Sequence, residues 1–170
     1  MSEPERTIRR LHEPGHRRKF LVVVDETTEC ESAIYFAACR AANTDSSIVL
    51  LYVIEPGDFQ HWLTVENIHR EEGEAKAKAV FRLYQRRLKN LGFEHIDREE
   101  VVRAGDIREE LVAMIAEDED ISFLVLGAST SPQGPGRLVS WLGQQGAGTF
   151  PIPFVVVPGT LELEEIKALG

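Results

Sequence analysis

The chain has 170 residues, 43% of them apolar, and a net charge of −9. That is enough chain for one domain with a real core, and the composition excludes a disordered or fibrous class. The acidic balance argues against nucleic acid as the main partner, and no apolar run is long enough to span a bilayer.

Charge is unevenly placed. Residues 1–19 carry six Lys/Arg and three Asp/Glu, a basic tail on an acidic body of net −12. Residues 1–18 are expected to be a flexible basic tail, 19–159 the folded domain and 160–170 a C-terminal extension. The tail has charges but no apolar leader core, so the cytoplasm is the expected compartment. It contains "HEPGH", His12 to His16, which matches a zinc-protease pattern. That pattern works only on a helix, and Pro14 and Gly15 break one there.

"RKFLVVVD" (Arg18–Asp25) reads as a strand buried on both faces. A helix follows to about Ala42, with Thr27 or Thr28 as cap and Ala33, Ile34, Ala37, Ala38 and Ala41 on its apolar face. Cys30 and Cys39 both fall on this helix, about 13.5 Å apart in rise and half a turn out of phase, so they cannot bridge each other. "IVLLYVIEP" (Ile48–Pro56) is a second buried strand, and Leu63 to Leu91 a long charged helix ended by Gly92. Phe93–Asp106 is a more polar third strand suited to a sheet edge. Asp106 caps the next helix, with Glu109 completing a capping box. "ISFLVLG" (Ile121–Gly127) is a fourth strand, residues 135–147 a weaker helix diluted by Gly143 and Gly146, and "IPFVVVPG" (Ile152–Gly159) a fifth strand. The last residues read as a helical turn or a loose end.

Apolar strands alternating with amphipathic helices imply an α/β fold, a doubly wound sandwich with a parallel sheet. The expected form is five strands in the order 3-2-1-4-5 with helices on both faces. Ligands in such folds bind beyond the carboxyl ends of the strands. That singles out Asp25, Glu55, Gly105, Asp106 and the loop after Gly127.

"FLVVVDETTECESAIYFA", "VLLYVIEP", "VVRAGDIREELVAMIAEDEDISFLVLGAST" and "PIPFVVVP", in this order, resemble the universal stress protein family over about Lys19 to Pro158. Members that bind ATP carry G-x2-G-x9-G-(S/T) after the fourth strand. The glycines let backbone amides reach the phosphates, and the hydroxyl donates to one of them. The same count here falls on Gly127, Thr130, Ser140 and Trp141. The closing-strand Pro153, thirteen residues after Ser140, keeps the family's spacing. The positions are intact and the residues have changed. Thr130 and Ser140 carry a Cβ where glycine is wanted, and Trp141 is bulky where a small hydroxyl belongs.

The resemblance leaves an adenine and ribose half: Asp25, Val53, Gly127 and Ala128. Asp25 suits a ligand contact or an acid favoured at a helix start. Gly134 and Gly136 are out of register. They suit a turn, or a displaced anion nest with Arg137 and Ser140 as donors.

No catalytic constellation stands out. "GASTS" lacks the glycines of a nucleophile elbow, and "EDED" (Glu117–Asp120) reads as a solvated acidic turn. The resemblance therefore implies a stress-response regulator acting as a homodimer through the closing strand Phe154–Pro158, without robust ATP binding. The alternative is a switch that binds ATP, ADP or AMP, with Mg²⁺, through an altered loop, with slow hydrolysis at most. A receiver domain would need a cluster of acids after strand one and a Lys after strand five, and the last strand ends "VVVPGT" without that Lys. A flavodoxin-like module would need a phosphate loop that "DETTE" does not supply.

Overall fold

The computed structural model describes residues 6–57 and 63–170. Five strands form one parallel sheet in the order β3-β2-β1-β4-β5. They are β1 (Lys19–Val23), β2 (Ser47–Ile54), β3 (Arg98–Ala104), β4 (Ile121–Ala128) and β5 (Phe154–Pro158). The helices are α1 (Glu29–Thr44), α2 (Leu63–Asn90), α3 (Ile107–Glu117), α4 (Arg137–Trp141) and α5 (Leu163–Leu169). This is the expected doubly wound α/β sandwich.

The alternation of side chains along a strand separates two cores. Phe20, Val22, Ile48 and Leu50 face α1, α2 and α5, where Ile34, Phe81, Leu88 and Ile166 are buried. Leu21, Val23, Val49 and Leu51 face α3 and the α4 region, where Leu111, Ile115 and Leu142 are buried. β1 and β2 are covered on both sides, which is why they read as unbroken apolar runs. β3 lies at an edge, paired with β2 alone among the described residues, and its adjacent Glu99 and Glu100 are exposed.

α1 presents a face of small residues to β4. Ala33, Ala37 and Ala38 are fully buried. The approach is closest at Gly127, where a Cβ would lie 1.9 Å from the Glu29 carbonyl oxygen. Thr28 occupies the cap position of α1, but its backbone is already helical and its hydroxyl does not cap. At α3 the Asp106 carboxylate accepts from the Arg108 and Glu109 amides at 2.9 and 3.2 Å. The closed capping box lies instead at α5, between Glu162 and Glu165. The chain end is a helix because Ile166 packs into the core and Asn43 donates to the Gly170 carbonyl at 3.0 Å.

The acidic turn after α3 receives the N-terminal segment. Arg9 donates to the Ile115 and Asp118 carbonyls at 2.7 and 3.2 Å, and Thr7 Oγ1 to the Ala116 carbonyl at 2.7 Å. These are helix-end carbonyls without a partner in their own helix, at the negative end of its dipole. His16 Nδ1 lies 2.7 Å from Asp120, and Arg10 pairs with Glu119 at 3.0 Å. The "HEPGH" stretch is a turn, and no metal-holding group of three or more His, Cys, Asp or Glu occurs among the described residues. Arg9→Ala is expected to lower stability by about 1 kcal/mol, read as a lower urea midpoint with an unchanged slope.

Candidate functional site

β1, β2 and β4 end beside one another, and a cleft of ≈ 410 Å³ opens beyond their carboxyl ends. Its apolar wall includes Val53, Ile107, Leu126 and Val139. Its rim is acidic: Asp25, Glu26, Glu29 and Glu55 line it against one cation among the described residues, Arg137.

Each acid is engaged differently. One oxygen of Asp25 accepts from the Thr27 amide at 2.8 Å and from the Thr27 hydroxyl, an Asx turn that leads the chain from β1 into α1. Glu26 accepts from the Tyr52 hydroxyl at 2.9 Å. Burial, and then this bond to a carboxylate, push the Tyr52 phenol upward. Glu55 takes Arg137 in a two-pronged pair at 2.8 and 3.1 Å, across the cleft mouth. The hydrogen bond to Glu55, and then its charge, raise the Arg137 guanidinium. Cys30 lies in the wall, its Sγ 3.1 Å from the Tyr84 hydroxyl oxygen. Burial pushes its thiol up to about 11. It is a protonated, packed group and not a nucleophile.

The glycine-rich loop after β4 is closed on itself. The Ser129 amide donates to the Pro135 carbonyl at 2.9 Å, and the Gly134 amide to the Ser131 carbonyl at 3.0 Å. The Ser131 and Gln133 amides are taken by the Ser129 and Ser131 hydroxyls. Gly134 and Gly136 have φ of +116° and +110°, so each supplies a conformation that L side chains rarely adopt. Between the two sequence-level readings, these bonds favour the turn over the nest. The expected helix at 135–147 is short: α4 passes into a π turn over Leu142–Gly146, where Gly143 and Gly146 fall. Because α4 begins at Arg137, Ser140 lies inside it, and its amide donates to the Gly136 carbonyl at 2.9 Å.

A model of the universal stress protein family matches residues 16–158. The chain belongs to that family. No curated protein sequence matches it. Among solved structures it is similar to the universal stress protein UspA from Lactobacillus plantarum, with a TM-score of 0.65 and 16% identity over 84% of this chain and 99% of that one. It also resembles a universal stress protein solved in complex with cAMP (TM-score 0.60, 19% identity, 86% and 100% covered). A third is a universal stress protein family protein from Arabidopsis thaliana with AMP bound (TM-score 0.55, 16% identity, 83% and 91% covered). These identities establish a shared fold.

Within this universal stress protein domain, the residues expected at the site fall into three neighbouring depressions. Asp25, Val53 and Gly127 line the cleft. Ala128 and Thr130 line a groove of ≈ 380 Å³ between α1 and the C-terminal segment, beside Tyr35 and Ile166. Ser140 and Trp141 line a groove of ≈ 530 Å³ on the far side of the loop. There the Arg108 guanidinium lies 5.6 Å from the Trp141 ring centroid, and Phe150 meets the ring edge-on at 6.1 Å.

Glu55 and Arg137 stand out separately in the sequence, and their pairing, which spans 82 residues, has no local signal. Nor does the sequence mark Glu26, Tyr52 and Cys30 as cleft residues. The alternation along β2 places Tyr52 and Val53 on opposite faces, a pattern that carries no sign of which faces bend into a cleft. No helix among the described residues is long and apolar enough to cross a membrane.

Proposed function

We propose that this protein is a regulatory member of its family that acts through protein contacts, as a dimer, and does not hold ATP firmly. The observation that carries this reading is the Ser140 amide, consumed inside α4 where the family pattern wants a phosphate donor. The closed loop and the rim carboxylates act in the same direction. The Ser129, Ser131, Gln133, Gly134 and Ser140 amides are spent within the loop and α4, and a triphosphate in the cleft would face Asp25, Glu26 and Glu29. Carboxylates can hold Mg²⁺, but among the described residues the cleft gives a triphosphate Arg137 as its one cation.

The dimer reading draws on β5. It pairs with β4 on one side, and its outer edge carries the β-branched run Val155–Val157. Such an edge invites a second strand.

A second reading is an adenine-nucleotide switch with an altered loop. The intact cleft favours it, since ≈ 410 Å³ suits a nucleoside-sized ligand. Relatives of the same fold carry AMP and cAMP.

Calorimetric titration with ATP, ADP and AMP in Mg²⁺ separates the two. Trp141 fluorescence is followed in parallel in a Trp62→Phe variant; Trp62 lies outside the described residues. The expected result is no saturable heat or fluorescence change with ATP up to millimolar concentration. A saturable ATP signal that Asp25→Ala abolishes would overturn the leading reading. Sedimentation equilibrium is expected to give a dimer, and Val156→Glu at the edge a monomer.

A further inference from the structure

We propose that Arg137 is a phosphate-binding residue of the cleft, held in reserve by Glu55. The ligand class it fits is a nucleoside monophosphate. This rests on the second reading above, that the cleft accepts a nucleoside.

Anion binding at this end of the sheet needs donors. The loop amides at Ser129, Ser131, Gln133 and Gly134 are already committed, and so is Ser140 inside α4. Arg137 is the one cation lining the cleft among the described residues. It stands where the cleft meets the neighbouring groove, since it lines both. Gly136 before it leaves open space, with no atom within 4 Å of where its Cβ would stand.

Two of the guanidinium's five N–H groups are spent on Glu55. The pair is open to water: the Arg137 side chain is 71% exposed and that of Glu55 34%. An exposed pair of this kind holds its partners together by about fivefold at most. A phosphate monoester offers more acceptor oxygens and nearly twice the charge, and two of its oxygens can meet the planar guanidinium fork. It can therefore take Arg137 from Glu55.

The charge count also sets the selectivity. One guanidinium serves one phosphate. A further phosphate that stays within the cleft would meet Asp25, Glu26 and Glu29 without a second cation among the described residues. The pair thus acts as a latch that opens for a monophosphate.

The test is calorimetric titration of the full chain with AMP and with adenosine, on wild type and four variants. Glu55→Gln is expected to tighten AMP about fivefold and leave adenosine unchanged. Arg137→Gln is expected to bind AMP no better than adenosine, and Glu55→Gln with Arg137→Gln to behave as Arg137→Gln alone. Glu26→Gln removes the same charge from the rim without touching Arg137. If it tightens AMP as much as Glu55→Gln does, the gain is general electrostatics and the latch is overturned. Adenosine and AMP binding alike in Glu55→Gln would overturn the latch and leave the cleft reading standing. Adenosine and AMP both failing to bind any variant would sink both.

Discussion

Gly127→Ala is expected to be among the most damaging single substitutions in this chain. The added Cβ would lie 1.9 Å from the Glu29 carbonyl oxygen and 2.6 Å from its carbon. Both are backbone atoms at the first turn of α1, so no side chain can rotate away. Relief requires α1 to lift from β4, yet Ala33, Ala37 and Ala38 hold it there with no exposed surface. Overpacking of this kind costs about 3 kcal/mol, a large part of a domain's stability. Urea denaturation followed by circular dichroism would measure it. A loss below about 1 kcal/mol would mean that α1 rides more loosely on the sheet than the contact implies. The effect is structural: it is expected at full size with no nucleotide present.

The second large effect is expected in alkali. The Cys30 thiol ordinarily titrates near 9 and is pushed up to about 11 by burial, the chief cause, with the nearby Asp25 and Glu29 charges adding to it. The folded protein thus keeps a proton that the unfolded chain releases. Its stabilising contribution is whole below pH 9 and is lost as the pH rises from 9 through 11. The loss amounts to about 2–3 kcal/mol. Tyr84, bonded to the same sulfur, and Tyr52 are raised in the same sense by burial and extend the decline. Denaturation midpoints at pH 8, 9.5 and 10.5 are expected to fall steeply in wild type. Cys30→Ala should start lower, through lost packing, and fall less over the first part of that range. Parallel declines in the two proteins would show that Cys30 is not the titrating group.

What was legible in the residues follows from where the physics is local. β1, β2 and β4 are covered on both faces, so their apolar runs announce them without any knowledge of the partners. Asp106 reads as a cap because a cap acts within three residues. The end of the chain was ambiguous because its order depends on Ile166 finding a site on α1, more than a hundred residues away. The candidate site was legible at Asp25, Val53 and Gly127, which sit at strand ends. It was not legible at Ser140 and Trp141, because their place depends on where α4 begins. Two left-side glycine conformations at Gly134 and Gly136 decide that start, and a run of Gly, Pro and Ser does not reveal which turn it will adopt. The Glu55–Arg137 pair is a contact between distant elements, invisible to any local pattern.

The start of α4 at Arg137 bears on how kinship is turned into function. Counted along the ATP-binding pattern from Gly127, Ser140 and Trp141 fall at the last glycine and the hydroxyl. Column by column, this looks like two substitutions at a retained site. In this chain both positions lie within α4, so reverting both letters would return a glycine and a serine to a helix. The count of residues is kept, while the Ser140 amide is spent inside α4. The unit that must be inherited for a phosphate loop to work is the point where coil becomes helix.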